Sequence, residues 1–184
     1  ATDVRPATKE QVESLGAKFL TVDAEMEKSA QTEGGYAKEM PPEYFKKQKE
    51  VVAEHIKKQD VVITTALIPG RPAPILITEE MVASMRDGSI IVDMAVEAGG
   101  NCPLSVLGEV VKVGGVTILG HSNIPSRIAE DASQLYAKNL LNFITPIVNS
   151  ESKSISIDWE DEIIAGTLIC KDGKIVHPAL IEEK

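Results

Sequence analysis

The chain has 184 residues, 43% hydrophobic and 26% charged, with a formal net charge of −9. That is enough apolar material for the core of a globular domain, and the acidic balance argues against nucleic acid or an anionic membrane surface as partner. No apolar run approaches the roughly 18–20 residues of a membrane span, no signal peptide opens the chain, and Cys102 and Cys170 form no spacing motif, which points to a reducing compartment.

The chain opens Ala1-Thr2-Asp3-Val4-Arg5-Pro6, where Asp3 reads as the acidic end of a strand with no apolar strand ahead of it. The expectation is the C-terminal part of a longer protein, with at least one strand and one helix upstream. Thr8–Leu15 is then expected to be a short helix, with Thr8 as N-cap, Gln11 completing a capping box and Gly16 ending it. Lys18–Val22 has strand composition. Residues 23–42 are polar, hold Gly34-Gly35 and close on Pro41-Pro42; a loop of that length is uncommon unless functional or disordered. Glu43–Lys58 spaces Phe45, Val52 and Ile56 as on a helix.

Asp60–Thr65 and Ser89–Met94 are short apolar runs, each followed by a Gly- or Pro-bearing loop, with a helix over Thr78–Arg86 between them. Such runs fit neighbouring parallel strands buried on both faces, and ligands of open parallel sheets sit outside the carboxyl ends of the strands. Val116–Gly120 adds a third strand, and Pro125–Phe143 a helix stopped by Pro146. Beyond Asn149 the pattern changes to short strands at Lys153–Asp158, Ile163–Cys170 and Lys174–His177, the last two joined by a turn over Lys171–Lys174. The expected fold class is therefore α/β: part of a doubly wound, Rossmann-like parallel sheet without its first strand and glycine-rich loop, then a helix and a small antiparallel β tail. The expected organisation is a partial nucleotide-binding domain over 1–125, a connecting helix over 126–146, and a β tail over 147–184 that belongs to an N-terminal domain lying upstream.

Candidate chemistry gathers at strand ends. Asp3 fits the acidic residue that accepts hydrogen bonds from an adenosine ribose, and its charge favours NAD(H) over a cofactor with a 2′-phosphate, although Arg5 is close by. Residues 34–40 (GGYAKEM) form a glycine-hinged loop with one aromatic, as a closing lid requires, but an idle surface loop has the same composition. Ala66-Leu67-Ile68-Pro69-Gly70 can bring backbone close to a ligand or can be a plain tight turn. Asp93, Glu97 and Gly99-Gly100-Asn101 follow the next strand, where a carboxylate can serve as base or acceptor or cap a loop. His55, His121 and His177 are scattered without metal-ligand spacing. Cys102 reads as a small buried filler and Trp159 as a packing anchor of the tail.

Taken in order, the segments TDVRP (2–6), GGYAKEM (34–40), TTALIPG (64–70), VDMAVEAGGN (92–101), Pro125-Ser126-Arg127 and DGKIVHPA (172–179) resemble the NAD(H)-binding component of proton-translocating NAD(P) transhydrogenase. The resemblance covers essentially the whole chain, with alanine dehydrogenase as the more distant relative. It implies a component that passes hydride between NAD(H) and the NADP(H) held on a partner subunit, coupled to proton movement by a membrane-spanning partner. It also implies a homodimer, peripheral to the bacterial inner membrane on the cytoplasmic side, without direct membrane insertion. The implied cofactor-binding residues are Asp3, Arg5, Gly35, Tyr36 at the tip of the mobile loop, Gln48, Thr65, Ala66, Leu67, Gly70, Glu97 and Gly99. The implied catalytic residues lie upstream of Ala1. Glu97 stands where alanine dehydrogenases resemble one another in having a catalytic Asp, which points away from amino-acid oxidation. Two other readings stay open: an alanine-dehydrogenase-like oxidoreductase, and a non-catalytic fragment serving as an assembly surface.

Overall fold

The structure is a computed structural model that describes residues 1–28, 30, 38, 40–68 and 70–181. It divides into two compact units, Ala1–Ser122 and Asn123–Lys184.

The first unit begins with α1 (Pro6–Ser14), and its start corrects the sequence reading. Pro6 occupies the first turn, where its missing N–H costs nothing, so the helix begins two residues before Thr8. The Thr8 hydroxyl donates to Arg5 O at 2.6 Å instead of capping the helix end. Gly16 closes the helix as expected, at φ +80°. The segment 18–22 makes no ladder. The Ala1 amino group donates to Lys18 O at 2.8 Å, and Leu20 N donates to Ala1 O at 2.7 Å. That is one parallel bridge, and a single bridge residue cannot make a strand.

A short helix α2 (Ala24–Glu27) follows, with the Asp23 side chain accepting from Glu25 N and Met26 N as its N-cap. Helix α3 (Pro42–Ile56) is longer and joins two cores. At its start Tyr44 is fully buried with Val22, Ala30 and Met40, and Val4 and Val51 pack against them. Phe45, the expected core position, is the exposed neighbour and meets Tyr44 edge-on at 6.1 Å between ring centroids. At its end Ile56, flanked by Val52 and Ala53, enters the main core with Ile77, Met81, Val82, Met85, Ile91, Cys102, Val116 and Ile118.

The sheet has the order β1-β2-β4-β3. Strands β1 (Val61–Thr64) and β2 (Ile90–Asp93) pair in parallel, with helix α4 (Glu79–Ala83) between them in the chain, N-capped by the Thr78 hydroxyl. The sequence reading missed β3 (Val110–Val113), which turns over Gly114-Gly115 and runs antiparallel to β4 (Val116–Leu119); β4 is parallel to β2. The turn glycines explain the hairpin: Gly114 sits at φ +59°, and a Cβ on Gly115 would meet Asp87 Cα at 2.7 Å. Register places Val62, Ile91, Ile118 and Val111 on one face, directed into the main core. Val61 and Ile63 lie on the opposite face and are 57% and 62% exposed. β2 is the one hydrogen-bonded neighbour of β1 among the described residues.

The second unit holds helix α5 (Ala129–Ile144), entered through a 3-10 turn over Ile124–Ile128. A two-residue hairpin of β5 (Val148–Asn149) and β6 (Ser154–Ile155) comes next. The expected strand over Ile163–Cys170 is instead helix α6 (Glu162–Thr167), with Asp161 as N-cap accepting from Ile163 N and Ile164 N. The cap decides the matter, because it satisfies first-turn amides that a strand would have to pair elsewhere. The closing hairpin of β7 (Cys170–Lys171) and β8 (Lys174–Ile175) is as expected, with Asp172 and Gly173 at φ +50° and +75°. Trp159 is half-exposed and carries Lys171 Nζ 3.9 Å above its ring, so it pairs with a cation rather than anchoring a core.

The smaller core of the first unit contains a buried carboxylate, Glu27. Its Oε1 accepts from Val22 N at 3.0 Å, Asp23 N at 3.2 Å and the Tyr44 hydroxyl at 3.0 Å. Burial first, and then the bond to Glu27, push the Tyr44 phenol well above its usual pKa of 10.0. A raised folded-state value means that the unfolded chain loses the proton first as pH rises. This stabilisation is therefore complete below pH 10 and is lost as pH climbs toward the folded-state value. Tyr44→Phe is expected to cost about 1–2 kcal/mol near neutral pH and to flatten the alkaline part of the stability profile. Urea melts of both proteins between pH 7 and 11 measure this, and parallel profiles would refute the assignment.

Candidate functional site

Two loops leave the carboxyl ends of β1 and β2, and two buried side chains tie them into one body. Asp93 ends β2 and is completely buried. Its Oδ1 accepts from Ala95 N at 3.0 Å and from the Thr64 hydroxyl at 3.4 Å. Its Oδ2 accepts from Asn101 N at 2.9 Å, Cys102 N at 3.1 Å and the Ser105 hydroxyl at 2.7 Å. These bonds fold residues 94–105 back over the strand end. The return is tight enough that a Cβ on Gly100, at φ +84°, would lie 2.7 Å from Asp93 Oδ2. Of the two roles the sequence leaves to Asp93, base or loop cap, the structure supports the cap: a carboxylate enclosed by protein donors is not presented to a substrate.

Asn101, also completely buried, faces the other loop. Its Oδ1 accepts from Ala66 N at 3.0 Å, and its Nδ2 donates to Ala66 O at 3.0 Å and to Pro74 O at 2.7 Å. Its backbone carbonyl accepts from Leu76 N and Ile77 N, and Ala73 N donates to Ala98 O at 2.8 Å. Thr65, Ala66, Leu67, Glu97 and Gly99 are thus brought to one edge of the sheet. Thr65, Leu67, Glu97 and Gly99 are exposed there, Gly99 at φ +99°, with Gly70 at φ +71° further along the first loop.

Asp3 and Arg5 form a second centre beside the smaller core. Arg5 N and Nε donate to Asp3 Oδ1 at 2.8 and 3.0 Å, and Nη2 donates to Oδ2 at 2.8 Å. Burial works against the charged form of Asp3, but the Arg5 bonds and charge outweigh it and hold the carboxyl below its usual range. Gln48 is half-buried on α3, the helix that spans both cores. Gly35 and Tyr36 lie outside the described residues. Among the described residues, no group of three or more His, Cys, Asp and Glu can hold a metal ion, and no helix is long and apolar enough to cross a membrane. Cys102 is the buried filler expected, its thiol pushed up by burial.

Comparison with known proteins places this arrangement. The family profile for the alanine dehydrogenase/PNT C-terminal domain matches residues 1–178. The chain belongs to that family. Within it, the chain is 63% identical over 180 residues to the first of the separately encoded pieces of the NAD(P) transhydrogenase alpha subunit of Rhodospirillum rubrum, a match covering 98% of this chain and 47% of that protein. A transhydrogenase crystal structure from Sinorhizobium meliloti superposes with a TM-score of 0.73 at 50% identity, covering 96% of this chain and 44% of that one. Alanine dehydrogenase 1 of Staphylococcus aureus is more distant, 34% identical over 137 residues, with 72% of this chain and 37% of that protein covered. The chain thus spans about half the length, or less, of the curated relatives it matches. The solved transhydrogenase shares the mixed, Rossmann-like parallel sheet with its helices.

The residues that organise the alanine dehydrogenase/PNT loops, Asp93 and Asn101, carried a weaker signal in sequence than the loops did. Asp93 was visible as a strand-end carboxylate, whereas nothing in the spacing linked Asn101 to Ala66, 35 residues earlier. Gly100→Ala forces a left-handed backbone on a residue with a Cβ and drives that Cβ into Asp93. Asp93→Asn turns one acceptor into a donor facing other donors. Each is expected to cost roughly 2–4 kcal/mol. Chemical denaturation of the two variants checks this; a loss under about 1 kcal/mol for both would show that the loops do not depend on the bond cluster.

Proposed function

We propose that this chain is the C-terminal half of the NAD(H)-binding component of a proton-translocating transhydrogenase. In this reading the component exchanges hydride with NADP(H) bound to a partner subunit, and a membrane-spanning partner moves the proton. The observation that carries the proposal is the 63% identity to a transhydrogenase alpha-subunit protein over nearly the whole chain, against 34% over a shorter stretch for an alanine dehydrogenase. Glu97, where the dehydrogenases resemble one another in an Asp, favours the same side.

The residues present suit an NAD(H) molecule. Asp3 is a charged, part-buried acceptor for ribose hydroxyls, kept in place by Arg5. The loop over residues 65–70 offers the exposed hydroxyl-bearing Thr65 and the apolar Leu67 to one side of the cofactor, while Gly70 and Gly99 keep the edge free of side chains. Gln48 adds a polar group from α3. Gly35 and Tyr36 would close over the nucleotide, and Glu97 and Gly99 would line the cleft from the β2 side. When bound, the nicotinamide supplies the hydride chemistry; these residues bind and orient it. In this reading residues 1–125 are part of the nucleotide-binding domain, 126–146 the connecting helix and 147–184 the tail of the N-terminal domain. The component is dimeric and peripheral to the bacterial inner membrane on its cytoplasmic side. The single parallel bridge at Ala1 and the open edge of β1 support a preceding strand seated between them in the order 3-2-1-4-5-6.

Mixing the complete component with its NADP(H)-binding partner and following hydride transfer between the two nucleotides by absorbance tests the reading. Rapid transfer is expected. Turnover of pyruvate and ammonia with NADH in its place would establish an alanine dehydrogenase, and partner binding without cofactor would establish a non-catalytic piece. Asp3→Asn is expected to weaken NADH binding about tenfold or more, since a hydrogen bond to a charged acceptor is worth about 1.5–3 kcal/mol. Fluorescence titration of NADH reads this, and an unchanged dissociation constant would remove Asp3 from the site.

A further inference from the structure

We infer that Asn101 is the positioning residue of the NAD(H) edge: it grips both main-chain groups of Ala66 and thereby aims Thr65 and Leu67 at the cofactor. The inference deepens the NAD(H) reading above and rests on it.

Three observations converge. First, Asn101 spends its side chain entirely on backbone. Its carbonyl oxygen takes the Ala66 N–H, and its amide nitrogen gives one hydrogen to Ala66 O and the other to Pro74 O. The bond pattern fixes the amide orientation, because a flipped side chain would set a nitrogen against an N–H and an oxygen against two carbonyls. Second, Asn101 is itself immobilised. Its N–H is held by Asp93, its carbonyl receives Leu76 N and Ile77 N, and it is completely buried. Third, the grip has a consequence for the ligand. With its N–H and C=O both consumed, Ala66 has no ordinary main-chain bond left to offer, although its small side chain suggests close approach of backbone. Flanking it, Thr65 is exposed and Leu67 is 58% exposed. Cofactor contacts from this loop therefore come from Thr65 and Leu67, and Ala66 is a fixed pivot. Holding a binding group in one geometry before the ligand arrives removes an ordering cost that binding would otherwise bear.

The test is Asn101→Asp in the complete component. The variant keeps the shape and one acceptor for Ala66 N, but its charged form points an oxygen at two carbonyls where the amide donated. Protonation restores one donor. The titratable groups facing the position are Asp93 and the Cys102 thiol, so the unmutated protein is carried through the same pH range as control. NADH affinity, measured by fluorescence on folded protein well below each melting temperature, is expected to fall about tenfold or more at pH 8.5 and to recover most of that at pH 6. A role in stability alone would lower the melting temperature and leave the affinity of the folded protein level with the control across pH; that result overturns the inference. Should the variant not fold, amide exchange in the unmutated protein decides. The Ala66 amide is expected to be protected as strongly as those of β1 before NADH is added, and rapid exchange there overturns the inference. Absence of NADH binding by the unmutated component would instead defeat the NAD(H) reading itself, and this inference with it.

Discussion

A buried carboxylate that accepts five hydrogen bonds at the end of β2 is the constraint on which this molecule's functional edge depends. A charge taken out of water costs several kcal/mol unless donors replace the lost hydration. Asp93 has those donors only when residues 94–105 turn back over the strand, since Ala95 N, Asn101 N, Cys102 N and the Ser105 hydroxyl all come from that segment. The loop and the carboxylate thus define each other. Gly100 has to be glycine because the return passes too close to Oδ2 for a Cβ. The fixed loop then presents Asn101 to Ala66, and the conformation set at β2 is transmitted to the loop after β1.

The smaller core repeats the device on a lesser scale. Glu27 takes the amides of Val22 and Asp23 and the Tyr44 hydroxyl, so one buried carboxylate joins the end of the 18–22 segment, α2 and α3. Asp23 adds an outer tie, as N-cap of α2 and as partner of Lys47 at 2.8 Å. Because α3 carries Tyr44 and Val51 into this core and Val52, Ala53 and Ile56 into the main one, it couples the Asp3–Arg5 centre to the strand-end loops. A helix with apolar positions on two faces does this; an ordinary one-stripe surface helix would not.

What was legible in the sequence follows from how local each signal is. The parallel strands over Val61–Thr64 and Ile90–Asp93 are dense β-branched runs bounded by turn residues, and β4 is another. The 170–175 hairpin carries Asp172-Gly173, a strong turn signal. Strand β3 was missed because Glu109–Val113 alternates charge with valine and pairs only through the adjacent hairpin. Ile163–Cys170 looked like strand because its apolar run outweighed a cap, Asp161, that lies just outside it. Tyr44 was passed over for Phe45 because the burial of a phenol depends on a carboxylate 17 residues away. The Asn101–Ala66 clamp was invisible for the same reason, being a pairing over 35 residues between types that carry no pattern of their own.

The Asp3–Arg5 pair bears on how a component of the proposed kind would keep its nucleotide distinct from the one on its partner. A carboxylate at the ribose repels a 2′-phosphate, yet an arginine two residues on would attract it, and sequence alone leaves the two in conflict. Geometry resolves the conflict. Arg5 turns Nε and Nη2 to the two oxygens of Asp3, with its own backbone N–H on the same carboxylate. A guanidinium committed in this bidentate way has its favourable fork already filled. A phosphate would have to displace an intramolecular partner and then sit beside the displaced negative charge, whereas a neutral diol needs only a lone pair of Asp3. On the proposed reading Arg5 therefore supports selection of the unphosphorylated ribose, by holding in place the carboxylate that makes the choice.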